Sequence, residues 1–168
     1  VLAIAPTIKK LLDACPDIAV TLTTTTPTGS ERVKALFGES VNHVYVPYDW
    51  PLCVFLFLQR VKPRLAVVVE TELWPVTLGI CKHQGINILI ANARLSEKSA
   101  NGYAKIRWLI APALKGITIA AQHEDDAKRF LSLGADECRV DITGSVKFDV
   151  VVDDAQRSKA MELKACLL

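Results

Sequence analysis

The chain has 168 residues, of which 51% are hydrophobic and 23% charged. This size suits one ordinary domain, or one domain plus part of another, and the composition is typical of a globular chain. The formal net charge of +2 argues against a nucleic-acid binder that works through a dense basic face.

The side chains that most often bind zinc are scattered: five cysteines and three histidines occur with no CxxC pair. Because a zinc site needs closely spaced ligands, we predict no metal site. The acids of HEDD, residues 123–126, are interpreted as charges that favour a helix N-terminus. The most apolar window, 51–58, is too short to cross a bilayer.

Short apolar β runs alternate with amphipathic segments, which indicates βαβ units around a parallel sheet. In chain order the pattern predicts a helix over 2–14, a strand over 18–26, a helix over 27–38, a strand over 41–46, a helix over 51–61 and a strand over 65–69. It continues with a helix over 75–85, a strand over 86–92, one or two helices over 96–115 broken near Pro112, a strand over 116–121, a helix over 124–134, a strand over 138–143 and a helix over 153–168.

These elements predict an α/β fold, a Rossmann-like doubly wound parallel sheet. Such sheets normally begin with a central strand, yet no strand precedes the first predicted helix. We therefore expect the first strand of the sheet to be missing, upstream of Val1.

The run LAVVV at 65–69 is continuously apolar, as expected for a strand covered on both faces. It leads directly to Glu70 and Glu72, which share a face if the strand continues through them. A carboxylate placed there can act as a general base, an orienting acceptor or a stabiliser of positive charge. Alternatively, one acid caps the helix that begins at Pro75 and the other faces solvent.

In open α/β sheets, ligands bind beyond the carboxyl ends of the strands. Thr28, Gly29 and Ser30 lie there at a helix N-terminus, where free N–H groups attract anions. The alternative is helix capping, since Thr28 and Glu31 have capping-box spacing and would start the helix near Gly29. The GxGxxG and GxxxxGK[ST] nucleotide patterns are absent.

Two further loops carry candidate side chains. ANARLSE offers Asn92, Arg94 and Ser96, and Arg94 could hold a carboxylate or phosphate through two parallel hydrogen bonds. The alternatives are that Arg94 is structural and pairs with a glutamate across the rim, that is, the edge where the strands end, and that Ser96 only caps the next helix. GSVKFD offers Lys147, either a charge facing an anionic leaving group or an ordinary surface lysine.

Five stretches, in this order, closely resemble the 3-deoxy-D-manno-octulosonic acid (Kdo) transferase family: TTTTPTGSERV, VYVPYDWP, VVVETELWP, ANARLSEKSANGY and TGSVKFD. That family adds Kdo to lipid A precursors in Gram-negative lipopolysaccharide synthesis. The resemblance implies half of a GT-B fold, in which two Rossmann-like domains face each other across a cleft. Residues 1–150 would form the acceptor-binding domain, and 151–168 a helix leading to a missing domain that binds the donor, CMP-Kdo.

By resemblance, the enzyme is an inverting, metal-independent transferase that needs no cofactor. Its general base is a glutamate of an SVGE segment, expected immediately before Val1 and absent here. Glu70 would stabilise the transition state and Lys147 would face the charge of the donor. Substrate-binding roles are predicted for the other rim residues: Thr28, Gly29, Ser30, Glu72, Asn92, Arg94 and Ser96.

The resemblance also implies partners and a location. The partners are a lipid A precursor, CMP-Kdo and the inner-membrane surface, reached through an upstream anchor at the cytoplasmic face; no nucleic acid is expected. The chain alone is expected to be inactive. Alternatives are another GT-B or sugar-nucleotide epimerase-like enzyme, or a non-enzymatic Rossmann-like binding fragment, since fold alone does not determine function. Two departures from the family pattern are Val76 and Ser145, which stand where asparagines are usual.

Overall fold

The structure is a computed structural model that describes residues 1–70 and 73–146. Glu72, Lys147 and the predicted helix over 153–168 lie outside the described residues. The described residues divide into two compact units, one with Val1–Ile18 and Val146, and one over Ala19–Ser145. In the first unit a 3₁₀ turn, Leu2–Ile4, leads into helix α1, Ala5–Ala14, and together they match the predicted first helix.

The second unit holds the six predicted strands in alternation with helices. The strands are β1 Thr21–Thr24, β2 Asn42–Tyr45, β3 Leu65–Val69, β4 Asn87–Ala93, β5 Thr118–Ala121 and β6 Val140–Ile142. The helices are α2 Pro27–Phe37, α3 Pro51–Val61, α4 Pro75–His83, α5 Glu97–Ala104, α6 Arg107–Leu114 and α7 Glu124–Leu133. A short 3₁₀ turn, Glu137–Arg139, precedes β6, so the last strand starts later than predicted.

All the strand pairs are parallel, which confirms the predicted α/β class. The strands form two sheets: β1 pairs with β2, and the other four lie in the order β3-β4-β5-β6. The described strands β1 and β3 share no ladder. In a doubly wound sheet, the first strand of the fold lies between the two strands that correspond to β1 and β3.

One burial prediction was wrong. LAVVV does form β3, but Leu65 and Val67 are 51% and 49% exposed, so the strand is not covered on both faces. These two side chains point to the same face, because side chains alternate along a strand. Side chains of a strand are buried by what packs on the faces of its sheet, and the face that carries Leu65 and Val67 is left half open.

The predicted helix break was also misplaced. Two helices form, but they meet at Lys105 and Ile106, whereas Pro112 lies inside α6. The chain tightens at this junction through i→i+3 bonds, such as Ile106 N–H to the Tyr103 carbonyl at 3.0 Å. A proline removes one intrahelical donor, and this short helix accommodates that loss.

The hydrophobic core is centred on the four-stranded sheet. Ile90 of β4 and Ile119 of β5 are fully buried, and the helices contribute Val54, Leu78, Leu114 and Phe130. Burying a side chain of this kind contributes about 1.5–3 kcal/mol. The core therefore holds β4 and β5 firmly, and with them the loops that leave their carboxyl ends.

Candidate functional site

Glu70 lies at the point where β3 ends. The strand stops at Val69, and Glu70 turns away with φ +66°, in the left-handed region. Its N–H still donates to the Ala91 carbonyl at 3.0 Å, so β4 holds the backbone as it turns. The strand therefore does not continue through Glu70, and its continuation was the condition for Glu70 to share a strand face with the second acid. The Glu70 side chain is exposed at the carboxyl edge of the sheet.

Asn92 occupies the equivalent position on the next strand. Val69 is level with Ala91 in the β3–β4 register, so Asn92 is level with Glu70. Asn92 also has a positive φ, +52°. Asparagine tolerates this region better than most residues, but a left-handed non-glycine residue still costs on the order of 1–3 kcal/mol. Two such residues side by side mark this edge as a candidate site.

Arg94 follows directly. Its side chain is exposed, although Asn92, Ala93 and Leu95 around it are at most 2% exposed. Ion pairs in the described part of the chain join Lys128 to Glu124 and Arg129 to Asp126. The alternative in which Arg94 pairs with Glu70 is therefore not seen there. Asn92 is buried, and a contact between it and a substrate stays a prediction.

Ser96 forms the N-cap of α5. Its Oγ accepts from the Ser99 N–H at 3.1 Å and donates to Ser99 Oγ at 2.9 Å. The capping alternative is thus confirmed for this serine. A contact between Ser96 and a substrate stays a prediction.

The first turn of α2 carries Thr28, Gly29 and Ser30, at the carboxyl end of the two-stranded sheet. The predicted capping box was wrong, because the helix begins at Pro27 and Thr26 is its N-cap. Thr26 Oγ1 accepts from the Gly29 N–H at 3.1 Å. Helix capping is therefore present here, and it does not use the N–H of Thr28, which is an exposed residue. An anion contact at this turn stays a prediction.

His43 of β2 connects this turn to the sheet. Its Nε2 lies 2.9 Å from Thr24 Oγ1 and its Nδ1 lies 3.4 Å from Ser30 Oγ. Ser30 is 8% exposed, so its hydroxyl faces the protein. A Cβ added to Gly29 would approach the Thr24 Cβ to 3.0 Å, which explains the glycine by close packing. His43 could not be found from the sequence, because an isolated histidine in a strand carries no signature.

Asp49, in the loop between β2 and α3, caps α4. Its Oδ1 accepts from the Thr77 N–H at 2.8 Å and from the Thr77 hydroxyl at 2.6 Å, and its Oδ2 accepts from the Val76 N–H at 3.2 Å. Glu70 makes no such contact. The Val76 contact uses the backbone, so the change from the family's asparagine does not disturb this cap.

Asp126 lies in the first turn of α7, as predicted for the acids of HEDD. It is 4% exposed, and its Oδ1 accepts from the Leu95 N–H at 2.8 Å, so it does more than favour the start of α7. Arg129 of the same helix donates to the Leu95 carbonyl at 3.1 Å. Their spacing of three residues on a predicted helix was the available signal, since it puts both on one face.

The wider surface adds little to this rim. A depression of about 610 Å³ runs along α5, lined by Glu97, Lys98, Asn101, Gly102 and Lys105, and it includes none of the predicted site residues. Within residues 1–70 and 73–146, His, Cys, Asp and Glu form no group of three that could hold a metal ion. No helix in these described ranges is long and apolar enough to span a membrane.

Comparison with known proteins identifies the family. Residues 1–150 match the family described as 3-deoxy-D-manno-octulosonic-acid transferase (kdotransferase). The chain belongs to the Kdo transferase family. This membership favours the first of the three hypotheses drawn from the sequence over a different GT-B or epimerase-like enzyme.

Two curated relatives of the Kdo transferase chain come from bacteria. It is 41% identical to the 3-deoxy-D-manno-octulosonic acid transferase of Haemophilus influenzae, over 98% of this chain and 39% of that protein. It is 33% identical to the transferase of the same name from Bordetella pertussis, over 92% of this chain and 36% of the relative. The chain thus spans roughly two fifths of the length of these curated relatives.

Proposed function

We propose that this chain is the acceptor-binding domain of a Kdo transferase that moves Kdo from CMP-Kdo to a lipid A precursor. Family membership supports the class of reaction. The location of the site is supported by Glu70 and Asn92, the two neighbouring residues with a left-handed backbone where β3 and β4 end. Because the chain spans part of its relatives, the donor is proposed to bind mainly to a second domain. The enzyme would work at the cytoplasmic face of the inner membrane of a Gram-negative bacterium.

The reaction is proposed to be inverting and independent of metal ions and cofactors. A glutamate preceding Val1 takes the proton from a sugar hydroxyl of the acceptor. That oxygen forms a bond to the anomeric carbon of Kdo from one side, while the bond to the CMP phosphate breaks on the other. CMP leaves with the bonding electron pair.

Glu70 is proposed to stabilise the positive charge that develops on the Kdo ring. A carboxylate helps most when its position is set in advance, because it then needs no reorganisation during the reaction. The β4 ladder holds the Glu70 backbone through the Ala91 carbonyl, and its exposed side chain remains available to a ligand. Lys147 would act at the opposite pole, facing the charge of the departing phosphate.

Acceptor binding is assigned to the neighbouring loops. Arg94 would hold a phosphate of the acceptor, because a guanidinium donates two parallel hydrogen bonds to such a group. The exposed Thr28 and its N–H would supply a second contact. Gly29, Ser30, Glu72, Asn92 and Ser96 complete the proposed binding set.

The test is Glu70→Gln in the full-length transferase that carries this sequence. We expect transfer from CMP-Kdo to fall by about 100-fold in kcat, because a carboxylate on a charged transition state contributes on the order of 3 kcal/mol. Glu39→Gln, at an exposed loop position, is the matched control and should retain activity. Wild-type turnover by Glu70→Gln would remove Glu70 from the mechanism. Kdo transfer by the 168-residue chain alone would contradict its assignment as one half of the enzyme.

A further inference from the structure

The backbone around Arg94 is held more firmly than a surface connection requires. Of the four residues 92–95, Arg94 is the exposed one, and both of its neighbours, Ala93 and Leu95, are 0% exposed. Loops at the edge of a sheet are usually mobile and solvated. This loop instead places one charged side chain outward from a buried backbone.

Four hydrogen bonds from the segment β5–α7 hold that backbone. Gln122 donates from its N–H to the Ala93 carbonyl at 2.9 Å and from Nε2 to the Asn92 carbonyl at 2.9 Å. Asp126 accepts from the Leu95 N–H, and Arg129 donates to the Leu95 carbonyl. Each side of Arg94 is therefore bonded to the neighbouring segment.

Two of the three partners are buried, and the third, Arg129, pairs with one of them. Gln122 and Asp126 are 6% and 4% exposed, and the side chains of Asp126 and Arg129 form an ion pair at 3.6 Å. Buried polar groups that are fully paired make a rigid network, since breaking one bond leaves its partner without water. The network thus resists displacement of the loop.

We infer that Gln122, Asp126 and Arg129 are positioning residues that hold Arg94 ready to bind a phosphate group of the acceptor. This inference rests on the proposed function. A guanidinium whose Cα is already placed loses less conformational entropy on binding an anion, so the acceptor binds more tightly. A displacement of about 1 Å in such a contact can cost up to about 100-fold in rate.

The opposing explanation is that the network only stabilises the fold. The two explanations differ in how substitutions combine. If the network acts through Arg94, its loss should matter little once Arg94 is gone, whereas a purely structural role gives the same loss in either background.

The experiment is a double-mutant cycle in the full-length transferase, with Arg129→Met and Arg94→Ala. We expect Arg129→Met to lower kcat/KM for the phosphorylated acceptor about tenfold, mainly through KM, and less than about twofold when Arg94→Ala is also present. The matched control is Glu124→Gln, which breaks the exposed Lys128 pair on the same helix and should change neither value. Equal losses in both backgrounds, or no loss at all, would overturn the inference.

Asp126→Ala should behave like Arg129→Met. If this buried substitution prevents folding, Arg129→Met still decides the question, because the Arg129 side chain is 31% exposed and can be replaced with less disturbance.

A binding measurement separates this inference from the proposed function. Inorganic phosphate is titrated while the NMR signal of the Arg94 side chain is followed. Binding that Arg129→Met weakens and Glu124→Gln does not supports the positioning role even if no Kdo is transferred. If Kdo is transferred but the two substitutions of the cycle act additively, the positioning role alone is refuted. If neither phosphate binding nor Kdo transfer is observed, both proposals are refuted.

Discussion

Asp49→Ala should loosen the start of α4. In the wild type, Asp49 accepts three hydrogen bonds, from the Val76 N–H, the Thr77 N–H and the Thr77 hydroxyl. The first N–H groups of a helix have no intrahelical partner, so removing the carboxylate leaves two backbone donors unsatisfied.

The size of the effect follows from these contacts. Losing an N-cap typically costs about 1 kcal/mol and at most about 2 kcal/mol. Three bonds to one partly buried carboxylate put Asp49 near the upper figure, and about 2 kcal/mol corresponds to roughly a 30-fold change in the local opening equilibrium. Asp49→Asn keeps one acceptor oxygen but loses the charge near the helix dipole, so we expect about half the free-energy loss.

Amide hydrogen exchange is the assay. The Val76 and Thr77 amides should exchange roughly 30-fold faster in Asp49→Ala. Gln84, whose N–H donates to the Ile80 carbonyl at the far end of α4, should keep its rate. Unchanged rates at Val76 and Thr77 would refute the cap, and an equal acceleration at Gln84 would show general unfolding instead.

Two further predictions concern packing and pH. Gly29→Ala should lower the free energy of unfolding, measured by urea denaturation, by about 1–3 kcal/mol, because the new Cβ would lie 3.0 Å from the Thr24 Cβ. The control is Gly79→Ala, whose new Cβ has nothing within 4 Å and which should be neutral or stabilising. Burial raises the pKa of the Cys81 thiol, so the folded state favours the neutral thiol. This preference stabilises the fold fully below about pH 8.5, the ordinary pKa of a thiol, and the stabilisation is lost as the pH rises through the raised pKa. Wild type should lose stability relative to Cys81→Ala as the pH rises above about 8.5, and a pH-independent difference would contradict this. Cys81 should also react with Ellman's reagent more slowly than exposed Cys138.

Residues 19–145 show which parts of the fold local sequence can predict. Strands and helices follow the period of their apolar residues, and helix starts at Pro51 and Pro75 follow from a proline's fixed φ and missing N–H. The misplaced break at Pro112 shows the limit of the same rule, because surrounding structure can accommodate a proline within a short helix. The exposure of Leu65 depends on what packs against its face of the sheet, and an apolar run cannot report that.

The candidate site divides in the same way. The sequence alone nominated Glu70, Asn92 and Arg94, because each lies at or just beyond the end of an apolar strand and parallel strands end at one edge of a sheet. It also led to the family, through five motifs in order.

Only the tertiary structure showed the left-handed backbone at Glu70 and Asn92, the Asp49 cap on α4 and the hold of Asp126 on Leu95. Asp49 and Asp126 lie 28 and 31 positions in the sequence from the residues they bind. The helix and strand periods relate residues only a few positions apart, so they cannot predict such partners. Their contacts form because the strands pair and the helices pack, which brings distant polar groups within hydrogen-bonding distance.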